Sequence, residues 1–301
     1  MREDAVAPVI AAMLVLAVIV TFFAVWNASV IPAMKEQAEV SHLHDVEEGM
    51  LRFSSDIESA ASAPSDMILS ERLPLGGGDV LYSAARSGGA LAVQDEGEYL
   101  GIRLYNGSSR AEWRGNLSNI SYQPVGNFWL DQGYDWSRGY VNVTKGNESV
   151  PLEYPAMKDV PYKIADVLFS ASVRSYGTDP GTCSVIVIKS VNITPSKTGG
   201  SMSGNGIGTL ALNSMANPEE PYYNITEIQV NTSLGVPLSP GFSQAMHDAV
   251  NTSLNKSLVS ACSNIQYGGD PTNRTIMLRV VDPLSNITVI RQTTDITLGT
   301  Q

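Results

Sequence analysis

Cysteine, histidine and positive charge are all in short supply in this chain. Its 2 Cys cannot make the multi-bridge framework on which small secreted domains rely. Its 3 His, with so few thiols, leave little material for a metal cluster. The 19 Lys and Arg stand against 30 Asp and Glu, a net charge of −11. Binding to phosphate backbones needs a basic patch, so the charge balance argues against a nucleic-acid partner. Charged residues of both signs come to only 16%, against roughly 25% in ordinary soluble proteins. Ser, Thr, Asn and Gly fill the deficit. At 301 residues the chain has room for about two ordinary domains, or for one large β-rich domain and an extra element.

From Ala5 to Trp26 the chain reads AVAPVIAAMLVLAVIVTFFAVW, without a charge. About 20 such residues cross a bilayer as a helix. A helix also satisfies every backbone amide within the segment, as lipid requires. A cleaved secretory signal would show a basic leader, an apolar region of about 7–15 residues and small residues at its end. Here the leader is Met1-Arg2-Glu3-Asp4, and the run ends in Phe22-Phe23-Ala24-Val25-Trp26. Beyond it, Val40, Leu43, Val46, Met50, Phe53, Ile57 and Ala60 recur at helical spacing, with Glu39, Asp45, Glu47, Glu48, Arg52 and Glu58 between them. That pattern predicts one apolar stripe on an amphipathic helix. Pro32 is expected to bend the rod where it leaves the bilayer, and Pro64 to end it. The predicted organisation is a leader over 1–4, a helix over 5–63 and a head over 64–301.

The segment Asp4-Ala5-Val6-Ala7-Pro8-Val9-Ile10, with the hydrophobic stretch after it, resembles the start of an archaeal type IV pilin or pilin-like surface protein. Ala7 stands where Ser is usual in that family, and the likeness covers about residues 4–60. It implies cutting by a prepilin peptidase at Asp4, Ala5 and Val6, after Ala5. It implies that Val9, Ile10, Leu14, Val18 and Phe22 pack in the core of a filament built from copies of this chain by pilus assembly machinery. The protein is then expected to be a structural subunit of a pilus-like filament at the cell surface, with roles in adhesion or surface attachment. Before assembly its N-terminus would sit in the cytoplasmic membrane. The alternative is a monomeric surface binding protein, an adhesin or minor pilin, held by the same helix as a permanent anchor.

Asparagine points to the compartment. N-x-S/T sequons begin at Asn27, Asn106, Asn116, Asn119, Asn142, Asn147, Asn192, Asn224, Asn231, Asn251, Asn255, Asn273 and Asn286, which is 13 of 18 Asn. Ser and Thr are roughly one residue in six, so chance would give about three. Polar turns of a β-protein account for part of the excess. The remainder predicts N-glycosylation, Asn27 lying too near the apolar run to be an acceptor. A glycosylated head is external, with the N-terminus inside. Cys183 and Cys262 can then pair, closing a loop worth on the order of 4 kcal/mol in the chain-entropy model. The alternative is two separate buried thiols.

The whole chain reads as α+β: the long N-terminal helix is followed by a sandwich-type, β-rich head with one more helix. Strands are predicted at Leu100–Tyr105, Tyr140–Val143, Ser184–Ile193, Thr226–Val230, Thr275–Val281 and Ile287–Arg291. Gly, Asn and Ser clusters at Gly76–Gly78, Ser87–Gly89, Asn106–Ser109, Lys197–Gly208 and Tyr267–Asp270 read as turns. Phe242, Met246, Val250, Leu254 and Leu258 predict a helix over Ser243–Cys262, with Ser243 as its cap. The same stretch holds weak matches to a nucleophile elbow and to S-x-x-K. Pro237 and Pro240 bar the strand an elbow needs, and sequons overlie the second match, so no enzyme and no cofactor are expected. His42 and His44 lie about 200° apart on a helix and cannot grip one metal. Asp131 and Asp135 would suit calcium in an acidic external chain, but without EF-hand spacing. Trp113, Phe128, Trp129, Tyr134, Trp136 and Tyr140 are read as core rather than as a stacking surface.

Overall fold

The computed structural model describes residues 6–62, 65–76, 87–107, 109–127, 130–152, 167–179, 181–232, 240–270, 273–281 and 287–301. It is a long N-terminal helix followed by a β-rich domain of two curled sheets and one more helix. The helix opens with α1 (Val6–Val25), passes through one π-helical turn (Trp26–Val30) and continues as α2 (Ile31–Ser62). At 1.5 Å per residue the rod is about 85 Å long. The π turn has a local cause. Pro32 offers no N–H to the carbonyl four residues back, and Ile31 N–H bonds instead to Trp26 O, five back, widening the turn just ahead of it. The bend expected at Pro32 is thus taken up in the helix's hydrogen-bond register, which stays helical throughout.

The smaller sheet contains β1 (Met67–Pro74), β7 (Phe169–Tyr176), β8 (Cys183–Pro195), β10 (Ile207–Ala216), β11 (Glu220–Ile225) and β15 (Ile287–Thr300). Its order is β1-β10-β15-β8-β7, with β11 also beside β15. The larger sheet contains β2 (Gly88–Asn106), β3 (Ser109–Val125), β4 (Gly133–Ser137), β5 (Tyr140–Lys145), β6 (Glu148–Pro151), β9 (Ser201–Gly204), β12 (Glu227–Asn231), β13 (Ile265–Asp270) and β14 (Thr275–Val280). Its order is β13-β14-β12-β2-β3-β4-β5-β6, with β9 also beside β2. The neighbours are antiparallel except β8 and β15, which run parallel from Val185 opposite Thr288 to Pro195 opposite Leu298. A parallel pair needs a long crossover. Here the crossover is the whole chain from β9 to β14, including the third helix.

The two sheets share one core, in which Leu100, Ile102, Ile120, Ile186, Ile193 and Ile296 are fully buried. Polar stitches cross it. Tyr99 Oη on β2 donates to Val191 O on β8 at 2.7 Å and lies 3.1 Å from Leu168 O. Ser118 Oγ on β3 donates to Ile193 O at 3.0 Å. Helix α2 touches β1, β10 and β15 of one sheet and β4 and β5 of the other, so it closes one side of the sandwich. The third helix, α3 (Pro240–Leu254), ends in a second π turn (Asn255–Val259) and packs on β7 and β13.

Some expected boundaries move. Ser243 lies inside the first turn of α3, which starts at Pro240, so it is not the cap. Ser87–Gly89 and Tyr267–Asp270 were expected as turns, yet Gly88 and Gly89 belong to β2, and Tyr267–Asp270 to β13. At Gly88 and Gly89 the missing side chain serves close packing. A Cβ on Gly88 would meet Gly204 O at 2.7 Å, and one on Gly89 would meet the Tyr122 ring.

Candidate membrane and assembly helix

The two halves of the rod have opposite surroundings. In α1 the large side chains are open on every side: Met13, Leu14, Leu16 and Val18 are each 62–67% exposed. The segment is 20 residues, about 30 Å, which matches a bilayer's hydrocarbon core. Its polar side chains are satisfied locally. Thr21 Oγ1 sits 2.8 Å from Ala17 O, and Asn27 Nδ2 donates to Phe23 O at 3.0 Å. Such back-bonding lowers the cost of placing these side chains in lipid. Phe22 lies edge-on to Phe23 and 6.1 Å from Trp26 by ring centres, and the first charge after the run is Lys35. Aromatic rings followed by a cation are the usual furniture of a membrane–water boundary.

From Glu39 the helix belongs to the head. Leu43, Val46, Met50, Phe53, Ile57 and Ala60 are all buried, and Gly49 lets the helix approach β1, where a Cβ would collide with Leu73. Val40, expected in the stripe, is exposed, and Glu39 takes the buried position four residues before Leu43. The face therefore continues through polar residues. Each of them meets a fixed partner. Glu39 accepts Leu130 N–H at 3.3 Å. His42 Nε2 lies 2.8 Å from Tyr122 Oη, which donates to Leu75 O. Tyr134 Oη donates to Glu47 at 3.0 Å, and Trp136 Nε1 donates to Ser54 Oγ at 3.1 Å. Arg52 binds Glu71 on β1 at 2.7–2.8 Å. Buried polar pairs of this kind specify one rotation and one height of the helix on the sheets, where greasy contact alone would tolerate slippage.

Burial shifts the titration of this seam. It lowers the His42 pKa below the ordinary 6.5, against a smaller upward pull from Asp45. Burial raises the Tyr122 and Tyr134 phenols well above their usual range, with Glu47 adding to the second. Beside the seam, burial and the nearby Glu96 push Asp135 up to about 6, opposed by Asn142 and Arg138.

The other expected positions fall as follows. Cys183 and Cys262 are joined by a disulfide with Cα atoms 5.3 Å apart, tying the start of β8 to the turn after α3. Asn264 clamps the same place, accepting Cys183 N–H at 2.9 Å and donating to Cys183 O at 3.0 Å. Sequence reasoning missed Asn264; its signal was an Asn outside the sequon set, two residues from a Cys. Asp4 and Ala5 lie outside the described residues, and Val6 begins α1. Val9, Ile10, Leu14, Val18 and Phe22 are all exposed on α1. Asn286 also lies outside the described residues. Asn251 and Asn255 are half-buried and bonded to each other at 2.8 Å. Asn116, Asn119, Asn142, Asn192 and Asn231 lie in strands, Asn106 ends β2, and Asn147, Asn224 and Asn273 are exposed. Asp131 is exposed and Asp135 half-buried, and among the described residues no group of three His, Cys, Asp or Glu could hold a metal. His42 is buried and His44 exposed. Trp113, Tyr134 and Trp136 are core, Tyr140 is half-buried, and Phe128 and Trp129 lie outside the described residues.

Comparison with protein-family models, curated proteins and solved structures finds no match to this chain. The arrangement itself is a bare apolar rod presented by a folded head that grips only its far half. Physically it can partition into lipid or pack against other apolar helices.

Proposed function

We propose that the chain is a structural subunit of a pilus-like extracellular filament of the archaeal type IV kind, anchored in the membrane by α1 before assembly. One observation carries this reading: a single uninterrupted helix is apolar and exposed all round in its first half and sealed by its own head in its second. In the membrane, lipid covers α1. In the filament, the α1 helices of neighbouring copies replace the lipid, keeping the apolar area out of water at about 25 cal/mol per Å². Val9, Ile10, Leu14, Val18 and Phe22 supply the packing surface. The head stands outside the cell, glycosylated at several of its sequons, and the acidic surface and hydrated sugars keep filaments from sticking together. A prepilin peptidase cutting after Ala5 and an assembly machine are the implied partners, and no catalytic role is assigned. The second reading, a permanent single-span anchor for a monomeric binding head, uses the same helix.

Electron microscopy with mass spectrometry of sheared cell-surface material decides between them. The subunit reading expects this chain in filaments, with a mature N-terminus at Val6. A chain that stays with membranes, begins at Met1 and never enters filaments would overturn it.

A further inference from the structure

The sequons are alike in sequence but stand in two different settings in the fold. An N-glycan is carried on the Asn Nδ2 atom and needs a clear way to solvent. Asn192, on β8, is half-buried with both ends of its amide engaged. Its Nδ2 donates to Asp295 Oδ1 at 3.1 Å, and its Oδ1 accepts the Asn116 N–H at 3.0 Å, so it binds the two sheets to each other. The Asn119 Oδ1 is buried. Asn142 Nδ2 donates to Asp135 O at 3.3 Å. All three lie within strands. There the N-x-S/T spacing has a plain structural cause: residues two apart share a face, so a polar face reads as a sequon.

Asn147 and Asn224 are the opposite case. Asn147 follows Gly146, whose φ is +59°, in the turn between β5 and β6, and residues 145–150 are all exposed. Asn224 also lies in a strand, near the end of β11, but it is exposed and sits where the register with β15 shifts between Tyr222 and Ile225, with φ +57° marking a left-handed bulge. Its location follows from the registers. Tyr122 packs at His42 and Trp136, opposite Ile120, at Ser54, so β3 runs along α2 towards α1 and its antiparallel partner β2 runs away from it. The Asn106 end of β2 is therefore the end of the head far from α1, and Thr226 N–H donates to Tyr105 O there at 2.8 Å. Asn147 in turn adjoins β6, a short strand that is the outer edge of the larger sheet among the described residues. Unpaired edges invite edge-to-edge association unless something blunts them.

We propose that Asn147 and Asn224 are N-glycosylation sites, one shielding the open β6 edge and one capping the far pole of the head. Asn119, Asn142 and Asn192 are structural side chains and carry no glycan. This rests on the external head of the proposed function.

Glycopeptide mass spectrometry of the full-length protein from its native cells tests it. The expected result is a glycan mass on the peptides holding Asn147 and Asn224, and unmodified Asn119, Asn142 and Asn192. A glycan at any of those three, or bare Asn at both 147 and 224, overturns the assignment. Two variants separate chemistry from folding. N147Q/N224Q should lose the glycan mass with an unchanged Tm, and N192Q should lower the Tm with the glycan mass unchanged. Protease treatment of intact cells keeps the two readings apart: bare asparagines on a cleavable external head defeat the glycan assignment alone, whereas a protected head defeats the external placement as well.

Discussion

Helices α1 and α2 are one rod with two energetic regimes. In α1 the apolar side chains cover the whole circumference, and the protein supplies no cover for them. In α2 they form a single stripe from Leu43 to Ala60, and the protein covers it, threading Glu39, His42, Glu47 and Ser54 through as polar registration points. A helix that is apolar all round needs a surrounding solvent of lipid or like helices, whereas a striped one needs one surface. Damage to the two halves should therefore show up in different measurements.

The largest effect is expected inside the seam. Phe53→Ala should cost about 3–5 kcal/mol of head stability through the cavity it leaves. That loss is read as a lower Tm by near-UV circular dichroism of the full chain in detergent, with membrane retention unaffected. Equal loss of retention would break the comparison. Cys183→Ser with Cys262→Ser should remove about 4 kcal/mol, since the bridge spans 79 positions, again without touching insertion. Leu16→Asp reverses the pattern. It should cost about 3 kcal/mol of insertion, release the chain from membranes and leave the head's Tm in place. Gly49→Ala sharpens the fit of α2 against Leu73. The gain of up to about 1 kcal/mol in helix propensity is outweighed by overpacking of about 1–3 kcal/mol, so the Tm should fall slightly.

The smallest effects are in pH, and they have opposite signs. Asp135 has a folded pKa of about 6 against an ordinary 3.8. The folded state thus binds the extra proton between these values, and this residue costs stability at neutral pH that is regained as pH falls through 6. Asp135→Asn should raise the Tm at pH 7–8 and make no difference near pH 4. His42 has a folded pKa below 6.5, so it is neutral in both states above that value. Below it the unfolded chain takes the proton first, and stability is lost as pH falls. In the Asp135→Asn background, His42→Gln should flatten the decline in Tm between pH 7 and 5. An unchanged decline would mean that the seam does not sense that proton.

Much of the rod was legible because its signal is local. A charge-free run and a stripe at helical spacing need no knowledge of a partner. The stripe failed at one point, Val40 against Glu39, since hydrophobicity ranks Val above Glu and only the head offers Glu39 the Leu130 N–H. The predicted strands were those with β-branched or aromatic runs. β1, β7 and β10 have mixed sequences in which polar and apolar residues are interspersed, and their identity comes from pairing, as when Met67 meets Ser214 and Pro74 meets Ile207. Glycines inside β2 and β13 read as turns because a sequence cannot tell a glycine that bends the chain from one that lets a neighbour approach. The disulfide pairing left open by sequence is closed by the tertiary fold, and Asn264, which braces it, carried almost no sequence signal.

The amino-acid order by itself determined that there would be a long apolar helix, a stripe on its continuation and a β-rich remainder. Each follows from periodicity and side-chain solvation within a few turns or residues of chain. Only the tertiary structure decided that the stripe is buried by the protein's own head, that β8 and β15 run parallel with residues 196–286 between them in the chain, and which asparagines face water. Those outcomes depend on groups far apart in sequence coming within hydrogen-bond range, as Asn192 does with Asp295, and local pattern holds no record of such meetings.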